Sequence, residues 1–178
     1  MGVRVIHHAG TLEGLRHALA TNGEAMKQSI AEVNEEWEGN DAFTIPVASM
    51  DAVIDRQDFS DPHAGAILNM LINEHFPPVS DDWKIAAYID FAERVDDPVL
   101  RTTLQRLYNE SGMIACQQIH DALLGCGYLD HAQVVAADTG LVRYADHAEE
   151  WVRDFVASLR AAFALIIRDG TGDLFVVS

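Results

Sequence analysis

Asp146–Arg168 (DHAEEWVRDFVASLRAAFALIIR), followed by Asp169-Gly-Thr-Gly172 and Leu174–Val177 (LFVV), decides how this chain is read. Val152, Phe155, Leu159, Phe163 and Ile166 recur at spacings of three and four, the period of one helix face. Trp151, Ala162 and Ile167 widen that stripe, so this helix is expected to run through the centre of the core. Acidic residues at its start and Arg168 at its end suit the helix dipole. Glycines then release the chain into a short β-branched strand.

Working outward, Val3-Arg-Val-Ile-His7 alternates as a strand at the other terminus and is closed by Gly10. The two terminal strands are expected to pair, with Phe43–Val47 as a further extended segment that Pro46 confines to an edge. Between them lie helix signals. Thr11 caps a helix to Ala20, and Asn22-Gly23 is read as its stop. A second helix over 24–38 carries Met26, Ile30, Val33 and Trp37 on one face. Ser60-Asp-Pro62, Ser80-Asp-Asp82 and Asp96-Asp-Pro98 each open a helix, proline being tolerated where its missing N–H costs nothing. Met113–Leu124 reads as helical up to Gly125-Cys-Gly127, and Asp130 caps a short helix to Ala137. The expected fold is mainly α (α+β): one globular domain over 1–178, a multi-helix bundle with a small sheet formed by the N- and C-terminal strands.

The charge is unusual. Twenty-eight acidic residues oppose twelve basic ones, a formal charge of −16, although charged residues are only 22% of the chain and apolar ones 49%. A chain of this composition folds; it is not a disordered polyanion. Such a surface repels nucleic acid and anionic membranes and attracts cationic proteins at long range. Two cysteines make no disulfide framework, the N-terminus has no signal-peptide core, and no apolar run spans a bilayer, so a cytoplasmic protein is expected.

Two acidic clusters stand out. Glu32, Glu35, Glu36 and Glu38 crowd the C-terminal turns of a helix, where the dipole and their mutual repulsion both disfavour them, and Asp41 extends the group. Asp51, Asp55, Asp58 and Asp61 form a second run at three- to four-residue spacing. Two solvated faces account for such runs as well as a binding surface does. The weaker chemical candidate is Cys116, His120, Cys126 and His131. The first two are expected to share a helix face, and zinc accepts two cysteines with two histidines, although the spacing is not that of a zinc motif. His7-His8 before Gly10-Thr11 reads as polar residues at the exit of an edge strand rather than an anion site. No nucleophile elbow, phosphate loop or zinc-protease helix is present in the sequence.

The expectation is therefore a small acidic binding protein, of the inhibitor or immunity type, that blocks a basic surface of a toxin or nucleic-acid-binding enzyme and stands in for phosphates. Glu32, Glu35, Glu36, Glu38, Asp41, Asp51, Asp55 and Asp58 are its expected contact residues, and no cofactor is expected. The competing reading is a helical metal- or small-molecule-binding protein or enzyme using Cys116, His120 and nearby carboxylates. A third is an assembly subunit that forms a homo-oligomer through the edge of Leu174–Val177.

Overall fold

The computed structural model describes residues 3–36, 44–80, 83–119 and 122–178. Five strands form one antiparallel sheet in the order β2-β1-β5-β4-β3. They are β1 (Arg4–Gly10), β2 (Trp83–Lys84), β3 (Met113–Ile119), β4 (Ala122–Leu129) and β5 (Gly172–Val177). The helices are α1 (Leu12–Glu36), α2 (Val47–Met50), α3 (Ala64–His75), α4 (Ile85–Arg94), α5 (Pro98–Arg106), α6 (His131–Leu141) and α7 (Glu150–Arg168). A π-helical turn, Asp51–Asp55, continues α2.

The terminal strands do pair. Val5 faces Val177 and His7 faces Phe175, in continuous register to Gly10 and Gly172. Alternation then sends neighbouring residues into two separate cores. Val5, Phe175 and Val177 enter a core built on α4, α5, α6 and α7, while Leu174, Val176, Ala115 and Cys126 enter one built on α1, α3 and the 51–55 turn. The expected bundle is thus a layered arrangement, with helices on both faces of the sheet. Phe155 of α7 anchors the first core, with Tyr88, Trp83 and Phe91 ring centroids 4.9, 5.2 and 5.4 Å away. Val152, Phe155, Leu159, Ala162, Phe163 and Ile166 of α7 are buried, and Trp151 and Ile167 at the stripe's margins are half-buried.

The helix starts at Asp97-Pro98 and Asp130 form as expected. Asp97 Oδ1 accepts from the Val99 and Leu100 amides, and Asp130 forms a reciprocal capping box with Gln133.

Four expectations are corrected. Asn22-Gly23 does not end a helix: α1 runs through it unbroken. A Cβ on Gly23 would lie 2.7 Å from Ile54 Cγ2, so the glycine serves close approach of the 51–55 turn. Residues 113–119 and 122–124 are not helical but belong to the paired strands β3 and β4. Helix α3 lies directly on that pair, since a Cβ on Gly65 would sit 2.5 Å from the Leu124 carbonyl oxygen and 2.8 Å from the Gln117 nitrogen. Gly127 leaves room for the Phe175 ring, 2.1 Å from where its Cβ would be. Thr44–Pro46 is not a strand, and Val47 already begins α2; Phe43 lies outside the described residues. Finally, Leu174–Val177 is no free edge, because β5 is flanked by β1 and β4.

Candidate functional site

The described residues 11–36 and 44–76, which build the α1–α3 layer, contain ten acidic residues and three cations, Arg16, Lys27 and Arg56. The inward face of α1 is Leu15, Ala18, Leu19, Met26 and Ile30, all buried. Helical periodicity therefore turns Glu13, Glu24, Glu32 and Glu35 outward, where all four are exposed. Glu32 accepts a bond from the Gln28 amide at 3.2 Å, a neutral partner that leaves its charge uncompensated.

Near the end of α1 the Asn34 side chain clamps the chain entering α2. Its Nδ2 donates to the Ile45 carbonyl at 2.8 Å and its Oδ1 accepts from the Ile45 amide at 2.9 Å. That clamp holds the segment carrying Val47, 68% exposed, against the turn carrying Val33, 37% exposed. Uncovered apolar side chains thus accompany Glu32 and Glu35. Glu36 closes α1, with its side chain outside the description; Trp37, Glu38 and Asp41 lie outside the described residues altogether.

The second acidic run is differently arranged. Lys27 Nζ lies 2.9 Å from Asp51 Oδ1 and 2.7 Å from Asp55 Oδ2, with Glu24 at 3.9 Å. These bonds raise the Lys27 pKa, and the Lys27 ammonium lowers that of Asp51 below the usual carboxylate range. Asp58 Oδ1 accepts from the Ser60 hydroxyl and amide at 2.6 and 3.1 Å, which lowers its pKa too. Asp61 Oδ1 accepts from the His63 amide at 2.8 Å. The run expected to form a free acidic face is therefore spent in good part on holding the 51–63 segment to α1 and shaping its turn.

The Cys–His set loses its premise. Cys116 stands in a strand, opposite Gly125, while Cys126 pairs with Ala115, so the two thiols point to opposite faces of the sheet. Cys126 is fully buried and its thiol pKa is pushed up to about 12 by burial. His131 is exposed at the start of α6, where Nδ1 donates to the Thr171 carbonyl. His120 lies outside the described residues. Among the described residues no three His, Cys, Asp or Glu side chains are placed to hold a metal ion.

The expectation for His7-His8 is also corrected: neither is a polar exit from an edge strand. Both are buried, on opposite faces. His7 Nδ1 lies 2.6 Å from Asp173 Oδ2 and Nε2 lies 2.9 Å from the Tyr88 hydroxyl, all three residues being 0% exposed. Burial and the nearby Asp173 raise the Tyr88 pKa well above its ordinary value. The phenol therefore keeps its proton, and the imidazole bridges Tyr88 and Asp173 through its two ring nitrogens. Asp173 Oδ1 is buried with no hydrogen-bond partner. With no solvent access, this chain of bonds ties β1, β5 and α4 together and presents no group to a substrate. Sequence reasoning missed it because the three residues lie far apart; the one available signal was an aspartate in an otherwise apolar terminal strand. His8 Nδ1 donates to the Phe76 carbonyl at 2.9 Å, its Nε2 is unpartnered, and burial lowers its pKa.

No protein family, no curated protein and no solved structure matches this chain. Among the described residues no helix is long and apolar enough to cross a membrane.

Proposed function

We propose that this protein is an acidic binding protein of the inhibitor or immunity type, whose α1 face occupies a basic surface of a partner protein where nucleic-acid phosphates would otherwise sit. The observation that supports this reading is the acidity of one layer of the fold: its described residues, 11–36 and 44–76, carry ten acidic residues against three cations. Glu24, Glu32 and Glu35 are its described anchors, with Val33 and Val47 supplying apolar contact beside them. Glu36, Glu38 and Asp41 follow directly in the chain and belong to the same proposed surface. Asp51, Asp55 and Asp58 act indirectly, by fixing the segment that flanks α1.

Charge of one sign on a binding face accelerates association and makes it salt-sensitive. The test replaces Glu24, Glu32 and Glu35 together by lysine. The expected result is that a cationic protein partner captured by the wild type at low ionic strength, and released by added salt, is no longer captured by the variant. Undiminished capture with unchanged salt dependence would refute the assignment.

A further inference from the structure

We propose that the groove between α5 and α6 is a binding site for a small monocarboxylate with an apolar body, anchored by Arg106. This site lies in the other helical layer and does not rest on the acidic-face reading. The groove has a volume of about 620 Å³, within the ~300–1,000 Å³ typical of small-molecule pockets. A second cavity of about 250 Å³ adjoins it, sharing Thr102 and Arg106. One wall is the α5 face of Val99, Thr102, Thr103 and Arg106; on the other, the short side chains of Ala132 and Ala136 leave the space open.

The polar groups in this groove are mostly committed, and what remains uncommitted has one character. Thr102 and Thr103 donate their hydroxyl protons to the Pro98 and Val99 carbonyls. Gln133 Oε1 accepts from the Asp130 amide, and Asp130 Oδ1 from the Gln133 amide. The donors left are the Arg106 guanidinium and the Gln133 Nε2 amide. Arg106 Nη2 reaches only the Tyr128 carbonyl, at 3.5 Å. Arg94, Arg143, Arg160 and Arg168 each pair with a carboxylate, and Arg101 and Arg153 each donate more than one bond to backbone carbonyls, whereas Arg106 has no carboxylate partner among the described residues and only that one long bond.

A planar guanidinium matches the two oxygens of a carboxylate, and the Gln133 side chain lines the same groove. Val99, 61% exposed, and the alanine wall would take the apolar body. Asp130 at the groove and the net charge of −16 disfavour a multiply charged anion such as phosphate. A single carboxylate is therefore the favoured head group.

The test is an amide-resolved NMR titration with hexanoate, with hexanamide and inorganic phosphate as comparison ligands. Hexanoate is expected to shift the amides of Thr102, Thr103, Arg106, Ala132 and Gln133, and to bind more tightly than either comparison. Arg106→Gln should weaken hexanoate about tenfold, the loss of one charge-assisted hydrogen bond. Ala136→Leu fills the groove from the opposite wall, and should abolish the shifts while leaving the rest of the spectrum unchanged. The proposal is overturned if hexanoate produces no shifts or shifts elsewhere, if hexanamide or phosphate binds as well, or if either variant binds hexanoate like the wild type.

Discussion

The two helical layers share one sheet and differ in how they handle charge. In the α4–α7 layer, cations and carboxylates meet: Arg94 with Glu149, Arg143 with Asp97, Arg160 with Asp138, Arg168 with Asp169. In the α1–α3 layer a single lysine serves Asp51 and Asp55, while Glu13, Glu24, Glu32 and Glu35 face solvent without a described cationic partner apart from the 3.9 Å contact of Glu24 with Lys27. The same division runs through consecutive residues of β1. His7, on the α4–α7 side, has both ring nitrogens bonded, whereas His8, on the α1–α3 side, has only one. The two layers thus handle acidic charge differently: one pairs four arginines with carboxylates, although Asp90, Glu93, Glu150 and Asp154 stay exposed there, and the other relies on a single lysine.

The largest expected effect comes from breaking the His7 bonds. Asp173→Ala strands His7 and Tyr88 in the core, and should cost about 3–5 kcal/mol in urea unfolding, the range for removing one partner of a buried polar or charged pair. A loss below ~1 kcal/mol would show that the chain of bonds contributes little.

Next is the packing of the acidic layer. Gly23→Ala gains helix propensity of about 1 kcal/mol but meets Ile54 Cγ2 at 2.7 Å, so a net loss of about 1 kcal/mol is expected. Adding Ile54→Leu, which removes that branch methyl, should turn the alanine favourable. A double-mutant cycle measures the coupling.

A smaller effect distinguishes His8 through pH. Its folded pKa lies below the ordinary 6.5, so the unfolded chain takes up the proton first as pH falls. The stability linked to neutral His8 is therefore complete above pH 6.5 and lost as the pH drops through the depressed folded value. Asp51, Asp58, Asp96 and Glu149, all lowered by their hydrogen bonds, act with the same sign in the more acidic carboxylate range. Unfolding free energy against pH should fall in two stages, and His8→Asn should remove the upper one. The smallest expected change is at the surface: in Lys27→Gln the Asp51 carboxyl should titrate nearer its ordinary value, as read by side-chain NMR, with the fold retained.

Much of the fold was legible where local chemistry is decisive. The α7 stripe, the Asp97-Pro98 start, the Asp130 cap and both terminal strands depend on residues within a few positions of one another, and each formed. The β3–β4 hairpin was not legible. Its apolar residues suit a helix, and only pairing with β5 and cover from α3 make it a strand. The candidate surface was legible as a charge cluster around Glu32 and Glu35. The pairing of Asp51 and Asp55 with Lys27 was not, because those residues meet across two elements.

The sequence by itself determined the net charge, the apolar stripe of α7, the strand character of both termini and the helix starts at Asp97-Pro98 and Asp130, all of which rest on composition or on contacts within one or two turns. Helices α3 and α4 instead begin at Ala64 and Ile85 with no side-chain cap. The tertiary structure alone decided which carboxylates are neutralised, which core each of two adjacent histidines enters, and that a helix-like segment becomes a sheet edge. Those outcomes depend on burial and pairing between residues distant in the chain, and a strand's faces acquire their meaning only when a sheet separates two cores.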